Sequence, residues 1–274
     1  MTDLCKHKIL LKPILHGRPI CSFANGNLGT PLPEVSCPSD LKILTVLDKK
    51  SDTNASINWV NNPSFSIEKI YVSPYVKWVS KIDSLYKYIN KHYDLLPEYI
   101  MYLDASDTVI INDIPDIKPL LSFYKCKALF NSEYGYWHTG FASPKGTSGY
   151  YDPLYLSIKS QYFKLTKSKY GFKDLVQASL NAGAFVGEKD YILNLLLKTL
   201  NIMNDDPAKN FPYGCQDDQC VLKYLHFKDY ENTSIDIFHK LFFWGTSRSL
   251  EDATNASSPD YFYQLENSYK NYSL

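Results

Sequence analysis

The sequence predicts an α/β fold with a mostly parallel central sheet. Two short apolar runs, residues 41–47 (LKILTVL) and residues 99–103 (YIMYL), have the length and composition of strands that are buried on both faces. An aspartate follows each run directly, Asp48 after the first and Asp104 after the second. Segments with helical periodicity alternate with these runs, and that alternation is typical of a parallel sheet covered by helices.

The first predicted strand, residues 41–47, is followed by a polar loop and a second strand at residues 69–72. Ser73 and Pro74 then predict the start of a helix, with a capping serine and a proline at the first helical position. The helix that follows has one apolar stripe at helical spacing. Its members are Val76, Val79, Ile82, Leu85, Tyr86 and Ile89.

The second half of the chain continues the alternation after a third strand at residues 99–103. In chain order we expect an extended segment at 109–111, a short helix at 115–124, a strand at 128–130, a loop and strand at 180–187, helices at 191–200 and 217–225, and a last strand at 235–238. Residues 1–40 are rich in Pro, Gly, Ser and Cys and lack a clear period. The predicted division is therefore an irregular N-terminal extension, residues 1–40, and one α/β domain, residues 41–274.

Composition excludes several classes of protein. The 274 residues include 29 basic and 29 acidic side chains, so the formal net charge is zero. A neutral chain lacks the broad positive surface that attracts nucleic acids or anionic membranes. No run approaches the roughly 20 apolar residues of a membrane span, and no apolar signal segment follows the N-terminus. We expect a cytoplasmic protein, with the secretory pathway as the alternative if a signal segment was removed. We expect no nucleic-acid partner and no membrane span; the oligomeric state stays open.

The six cysteines form neither a CxxC pair nor a zinc-finger spacing. A chain of this length, with regular strand and helix patterning, differs from the short secreted proteins that depend on disulfides. We therefore predict that the cysteines are mostly reduced and buried.

Asp104 and Asp107 are the first candidate functional residues. They stand three residues apart, directly after a predicted buried strand, where ligands bind in α/β sheets. Carboxylate oxygens are the ligands that Mg²⁺ and Mn²⁺ prefer, and such a cation neutralises a diphosphate leaving group. The alternative is that the two aspartates cap a turn and face solvent. The apolar strand in front of them favours the metal site.

Five short blocks of the chain resemble one family, in the order in which that family has them. The blocks are YIMYLDASDTVIINDI from residue 99, FNSEYGYWH from residue 130, LNAGAFVG from residue 180, QDDQCVL from residue 216 and IDIFHKLF from residue 235. They resemble the glycosyltransferase domain of the lysyl hydroxylases, which modify collagen, and the viral and microbial relatives of that domain. The resemblance implies a GT-A fold, with a UDP-sugar as donor and Mn²⁺ or another divalent cation as cofactor.

The resemblance also implies roles for individual residues near the nucleotide and metal. Asp104 and Asp107 match the two metal carboxylates, and Asp104 thereby also contacts the bound nucleotide. Lys77 matches a basic residue that approaches the nucleotide; its alternative is a solvated helix lysine. The family often has an aromatic residue between the two aspartates, where this chain has Ala105 and Ser106. Ser106 is then the residue expected beside the nucleotide.

Further matches lie near the sugar and the reacting centre. Trp137 matches an aromatic residue that lines the sugar pocket, although it could equally be a core tryptophan. Asn181 and Gly183 match the loop beside the donor sugar, with an ordinary turn as the alternative. Asp217 and Asp218 match an acidic pair at the reacting centre; capping of the following helix is their alternative and does not exclude catalysis. No general base is assigned.

The third metal ligand departs from the family pattern. In the family a histidine directly follows the aspartate of the last strand, but here Asp236 is followed by Ile237. His239 points to the same face of a strand as residue 237, so it is the predicted metal ligand, with Asp236 as a substitute. A further departure is His138, which stands where the family has proline after the tryptophan.

The sequence therefore predicts a metal-dependent hexosyltransferase that moves glucose or galactose from a UDP-sugar to a hydroxyl of a protein or glycan. The first alternative is a catalytically inactive GT-A module that binds nucleotide-sugars or glycans. A second is another metal-dependent phosphate enzyme, such as a nucleotidyltransferase, although the chain has no glycine-rich phosphate loop. A third, compatible with transfer, is an acceptor-binding scaffold built from residues 1–40 and 143–170.

Overall fold

A computed structural model describes residues 9–11, 14–15, 18–19, 36–48, 67–75, 77–105, 108–110, 113–133, 179–204, 218–236 and 240–244. Eleven strands lie in these segments. In chain order they are β1 Ile9–Leu11, β2 Ile14–Leu15, β3 Arg18–Pro19, β4 Leu41–Asp48, β5 Ile67–Val72, β6 Tyr99–Leu103, β7 Thr108–Ile110, β8 Ala128–Glu133, β9 Ser179–Glu188, β10 Thr233–Ile235 and β11 Phe242–Trp244. The helices are α1 Lys77–Lys91, α2 Ile117–Tyr124, α3 Lys189–Asn204 and α4 Asp218–Lys228, with a short 3₁₀ turn at Tyr93–Leu95.

The predicted α/β class is confirmed by a six-stranded sheet in the order β10-β8-β9-β6-β4-β5. The pairs β4·β5, β4·β6 and β10·β8 are parallel, while β9 runs antiparallel to both β6 and β8. Five strands therefore point the same way, and their carboxyl ends lie along one edge. This is the mostly parallel, Rossmann-like arrangement expected of a GT-A fold.

Burial explains why the apolar runs became the centre of the sheet. All five residues of β6 are buried, and so are positions 43–47 of β4. The helix α1 packs against β4, β5 and α3, while α3 and α4 pack against β9. Ile82, Leu85 and Ile89 are fully buried members of the predicted α1 stripe. A strand that is covered on both faces has no solvent-exposed face, so its residues do not alternate between apolar and polar.

A second, three-stranded sheet has the order β11-β1-β7. Its middle strand, Ile9–Leu11, comes from the N-terminal extension, and a two-residue pairing of β2 with β3 follows it. The sequence predicted an irregular extension and gave no periodic signal for these strands. Strands of two or three residues are too short to show a period, and the pairing partners of β1, which are β7 and β11, lie far away in the chain.

Several boundaries differ from the prediction. The peptide bond between Ser73 and Pro74 is cis, and α1 begins at Lys77, so Pro74 is not the first helical residue. The segment predicted as a loop followed by a strand is one continuous strand, β9. The expected last strand at residues 235–238 is β10, which ends at Ile235, and a further strand, β11, follows.

Two statements from composition can be compared with the described residues. None of the helices there is both long and apolar enough to cross a bilayer. Cys37 and Cys126 are not in disulfides, as predicted for these two positions, but they are half-buried rather than buried.

Candidate active site at the carboxyl ends of the parallel strands

Four elements meet at the carboxyl edge of the main sheet, and three of them bring charged side chains together there. Lys81 comes from α1, Asp104 directly follows β6, Gly183 lies in β9, and Asp218 is the first residue of α4. The sequence predicted Asp104, Gly183 and Asp218 as site residues. The structure places them close to Lys81, which the sequence analysis did not predict. Their meeting follows from the strand order, because β9 lies beside β6 and α4 packs against β9.

Lys81 is a buried cation at the centre of the site, with a residue exposure of 4%. Its ammonium group forms an ion pair with Asp218 at 2.5 Å and a longer one with Asp104 at 3.4 Å. It also donates a hydrogen bond to the carbonyl oxygen of Ala182 at 3.3 Å and lies over the ring of Tyr102. Burial alone would lower the pKa of Lys81, but the charges of Asp104 and Asp218 outweigh it and raise that pKa. Lys81 therefore stays protonated at neutral pH.

Asp104 is fixed on one side and open on the other. Its Oδ1 atom accepts hydrogen bonds from the Tyr102 hydroxyl and from Lys81, and its backbone N–H donates to the Gly183 carbonyl at 2.8 Å. Burial, followed by the charge of Asp104, holds the pKa of Tyr102 well above its usual range, so this hydroxyl remains a donor. No group among the described residues donates to Oδ2. The side chain of Asp104 is 31% exposed, which leaves this oxygen available to a ligand.

Gly183 lies directly against the Asp104 carboxylate, where there is no space for a side chain. A Cβ at this position would lie 2.9 Å from Asp104 Oδ2 and 2.9 Å from Asn181 Oδ1. The Gly183 N–H donates to Asn181 Oδ1 at 2.8 Å, which fixes the asparagine side chain beside the carboxylate. Glycine is required here for space, because any larger residue would push one of these two polar groups away.

Replacing Gly183 with alanine is expected to weaken ligand binding at the site and to leave the fold intact. The new methyl group meets only the ends of two side chains, so the free energy of unfolding should change by no more than about 1 kcal/mol. Displacement of the Asp104 carboxylate should weaken Mn²⁺-dependent UDP binding by roughly tenfold or more. Calorimetric titration and thermal unfolding measure the two effects.

Gly187→Ala is the matched control in the same strand. A Cβ there would lie 2.5 Å from the backbone carbonyl oxygen of Lys127, which cannot move without the strand. We expect this variant to lose about 1–3 kcal/mol of stability while the folded fraction keeps normal binding. Equal effects of the two alanines on binding would contradict the role given to Gly183.

The start of α4 is tied to β9 by side chains. Asp218 is 2% exposed and reaches Lys81, while Gln219 Oε1 accepts a hydrogen bond from the Ala182 N–H at 3.1 Å. The capping alternative for Asp218 is compatible with this position at the first helical turn. Its ion pair with a lysine from another helix shows that it also belongs to the charged cluster.

Tyr75 stands at the rim of the cluster, just before α1, and is 39% exposed. Partial burial raises the pKa of Tyr75; the charges of Asp104 and Asp218 raise it further, and that of Lys81 opposes them. The Tyr75 hydroxyl therefore stays protonated near neutral pH.

Asn131 adds a buried polar group at the same edge. It pairs with Asn181 between β8 and β9, next to a register shift after Phe130. Asn131 is fully buried, and neither its Oδ1 nor its Nδ2 atom has a hydrogen-bond partner among the described residues. A buried amide without partners costs free energy, so we expect Asn131 to bond with groups outside the described residues.

Asp236 has a structural role that excludes its use as a substitute metal ligand. Oδ1 accepts hydrogen bonds from the Tyr124 hydroxyl and the Lys240 N–H, and Oδ2 accepts from the N–H groups of Leu241 and Phe242 at 2.8 and 2.7 Å. The carboxylate is fully buried, and these donors occupy both of its oxygens. The suggestion that Asp236 replaces the missing family histidine is therefore corrected. Its carboxylate holds the turn that leads into β11.

Several predicted site residues lie outside the described residues. They are Ser106, Asp107, Trp137, His138, Asp217 and His239. Within the described segments, no group of three His, Cys, Asp or Glu side chains is close enough to hold a metal ion. Asp104 is thus the one described member of the predicted ligand set, and the completed site stays a prediction.

The buried cation of the site was missed by the sequence analysis. Lys77, the lysine expected near the nucleotide, is the first residue of α1, and its role stays a prediction. Lys81 lies one turn later, at the same spacing as the buried residues Leu85 and Ile89. A lysine in line with an apolar stripe must be buried and paired, so the spacing of Lys81 in the sequence could have identified it as a buried cation.

Comparisons with known proteins give matches among solved structures and none among sequences. No protein-family model matches the chain, and no curated protein matches it. Among solved structures, the chain is similar to a glycosyltransferase involved in the glycosylation of the major capsid of PBCV-1. That match covers 71% of this chain and 80% of that chain at 13% sequence identity, with a TM-score of 0.37. A likeness at this level does not establish the function of this chain, so the chemistry of the site is inferred from its own geometry.

Proposed function

We propose that this chain is a glycosyltransferase that uses a divalent cation, Mn²⁺ or a similar ion, and a UDP-sugar. It moves a hexose, glucose or galactose, to a hydroxyl group of a protein or glycan. The observation that supports this proposal best is the buried Lys81 held between Asp104 and Asp218 at the carboxyl edge of the sheet. Ligands of α/β proteins bind at this edge.

The charge of the cluster fits a cation. Lys81 contributes one positive charge and the two aspartates contribute two negative charges, so the three groups carry one net negative charge. Asp104 Oδ2 is the oxygen without a donor among the described residues, and Gly183 leaves it room. Carboxylate oxygen suits Mn²⁺ or Mg²⁺. Asp107 and His239 are the proposed further ligands. When bound, the cation would neutralise the diphosphate of the donor.

The chain's own residues supply positioning around the reacting centre. In the transfer, the bond from the anomeric carbon to the diphosphate oxygen breaks, a bond to the acceptor oxygen forms, and the acceptor hydroxyl loses its proton. Lys81 holds the two carboxylates at fixed positions, so they need no rearrangement when positive charge develops at the anomeric carbon. Asn181 and Trp137 are the proposed sugar contacts. Asp217 and Asp218 are the proposed acidic pair beside the anomeric carbon.

The deciding experiment measures release of UDP from UDP-glucose and UDP-galactose, with and without Mn²⁺. We expect metal-dependent release, with the faster donor identifying the sugar. The double variant Asp104→Ala/Asp107→Ala should lose Mn²⁺-dependent UDP binding by about 100-fold or more, because both proposed carboxylate ligands are gone. Asp83→Ala, on the exposed part of α1, is the control that should keep both properties.

The outcomes separate the two leading functions. Metal-dependent UDP binding without release from either donor would favour the inactive GT-A binding module. Absence of both release and Mn²⁺-dependent UDP binding would overturn the transferase proposal and the nucleotide-sugar module together.

A further inference from the structure

Strand β9 departs from regular pairing where it reaches the candidate site. Along β8 the register advances by one residue, from Phe130 to Asn131, while the partner in β9 changes from Phe185 to Asn181. Residues 182–184 are therefore extra residues on β9 with no partner in β8, and we call them the β9 bulge. A bulge disrupts the ladder of backbone hydrogen bonds, so its conformation depends on donors and acceptors from other elements.

Two side chains from neighbouring helices bind the first residue of the β9 bulge. Gln219 Oε1 accepts a hydrogen bond from the Ala182 N–H at 3.1 Å, and Lys81 Nζ donates one to the Ala182 carbonyl at 3.3 Å. Gln219 is 8% exposed and Ala182 is 2% exposed, so the bond between them is shielded from water. The glutamine belongs to α4 and the lysine to α1, so two helices bind the bulge.

These bonds restrain two consecutive peptide planes, and both planes determine how Asn181 is held. The Ala182 N–H lies in the planar peptide unit that begins at the Asn181 carbonyl, so Gln219 restricts the rotation of that unit. The Ala182 carbonyl lies in one plane with the Gly183 N–H, which donates to Asn181 Oδ1 at 2.8 Å. The backbone and the side chain of Asn181 therefore both depend on the conformation of the bulge.

Asp104 depends on the bulge less than Asn181 does. The Asp104 N–H donates to the Gly183 carbonyl at 2.8 Å, but the carboxylate is held separately by the Tyr102 hydroxyl and by Lys81. These two bonds to the carboxylate do not pass through the backbone of the bulge. Loss of the glutamine contact would therefore disturb Asn181 more than Asp104.

We infer that Gln219 is a positioning residue that holds Asn181 in the orientation in which it contacts the donor sugar. This inference rests on the proposed function, which makes Asn181 a sugar contact and Asp104 a contact of the metal and nucleotide. A glutamine suits this role because its amide supplies an acceptor oxygen without adding a buried charge beside Asp218, the preceding residue. Gln219 should therefore affect binding of the sugar part of the donor and leave binding of UDP unchanged.

The test replaces Gln219 with methionine, which has a similar length and only a weak acceptor for the Ala182 N–H. In the ligand-free protein we expect this amide hydrogen to exchange with solvent roughly 3- to 10-fold faster, with unchanged exchange at Gly187 of the same strand. With Mn²⁺ present, affinity for the preferred donor, UDP-glucose or UDP-galactose, should fall by roughly 3- to 10-fold, as for one misplaced hydrogen bond. Affinity for UDP should stay at the wild-type value.

Two variants control for the substitution itself. Gln219→Glu keeps an acceptor oxygen on a side chain of the same length, so exchange of the Ala182 N–H and the ratio of the two affinities should stay near wild type. Lys228→Met introduces methionine at the exposed end of the same helix and should change neither measurement. If Gln219→Met does not fold, the wild-type protein decides, because a sugar held by Asn181 should slow exchange of the Ala182 N–H more than UDP alone does.

The outcomes separate this inference from the proposed function. Unchanged exchange of the Ala182 N–H in Gln219→Met, or an equal fall in affinity for UDP and for the UDP-hexose, would overturn the positioning role. Equal slowing of that exchange by the two ligands in the wild type would overturn it as well. A wild-type protein that binds neither ligand with Mn²⁺ would overturn the proposed function, while the exchange data would still decide whether Gln219 holds the bulge.

Discussion

Replacing Lys81 with methionine is expected to lower the free energy of unfolding by about 3–5 kcal/mol at pH 7, because it removes the positive charge that pairs with a buried carboxylate. Asp218 is 2% exposed, so its charge cannot be solvated when the lysine is gone. The same change should abolish metal-dependent UDP release, since Asp104 also loses a group that fixes it. Chemical denaturation and UDP release measure the two effects.

Lys87→Met is the control on the same helix. Lys87 pairs with Asp83 at 2.7 Å, but its side chain is 72% exposed, and surface pairs of this kind contribute less than about 0.5 kcal/mol. The double variant Lys81→Met/Asp218→Asn should recover part of the lost stability, since removing both charges of a buried pair is less costly than removing one. A loss for Lys81→Met no larger than that for Lys87→Met would contradict the ion-pair assignment.

The pH dependence of this effect has a definite sign. The folded protein raises the pKa of Lys81 above its usual value of 10.5, so the pair's contribution is fully present below pH 10.5 and is lost as the pH rises through the higher folded value. Between pH 7 and pH 9 the stability difference between wild type and Lys81→Met should therefore stay flat. At acidic pH the difference should shrink, because a buried Asp218 that no longer faces the Lys81 charge can take up a proton.

Replacing Asp236 with alanine is the second change with a large expected effect, a loss of about 3–5 kcal/mol of stability. The substitution removes the acceptor of three buried donors, the Tyr124 hydroxyl and the N–H groups of Leu241 and Phe242, and of the part-buried Lys240 N–H. Each buried donor that loses its partner costs about 1–3 kcal/mol, although water entering the space would relieve part of it. Thermal and chemical unfolding measure the loss.

A graded series tests the reason for this loss. Tyr124→Phe removes one donor and keeps the carboxylate with its three backbone bonds, so it should cost about 1 kcal/mol. Asp236→Asn keeps the shape but turns one acceptor atom into a donor, and it should fall between the other two variants. If Asp236→Ala were as stable as Tyr124→Phe, the turn before β11 would not depend on this carboxylate.

The main sheet could be predicted because its strands have a local signal. Residues 41–47 and 99–103 are continuous apolar runs, and the observed strands Leu41–Asp48 and Tyr99–Leu103 match them closely. The α1 stripe was also visible, since helical spacing places Ile82, Leu85 and Ile89 on one face. The predicted start of α1 at Pro74 was wrong, because the helix begins at Lys77.

The sequence by itself determined the α/β class, the strands of the core and the location of Asp104 and Asp218 at the ends of elements. These properties depend on the pattern of apolar residues within short windows. The tertiary structure alone decided that Lys81 joins the two aspartates, that Asp236 serves a backbone turn, and that residues 9–11 link β7 with β11. The Lys81 ion pairs and the β1 pairings join residues distant in the chain, so they depend on which elements become neighbours, and no local window contains that information. The Asp236 turn spans only residues 236–242, but the carboxylate is buried there and also accepts from Tyr124 of α2, a residue far away in the chain.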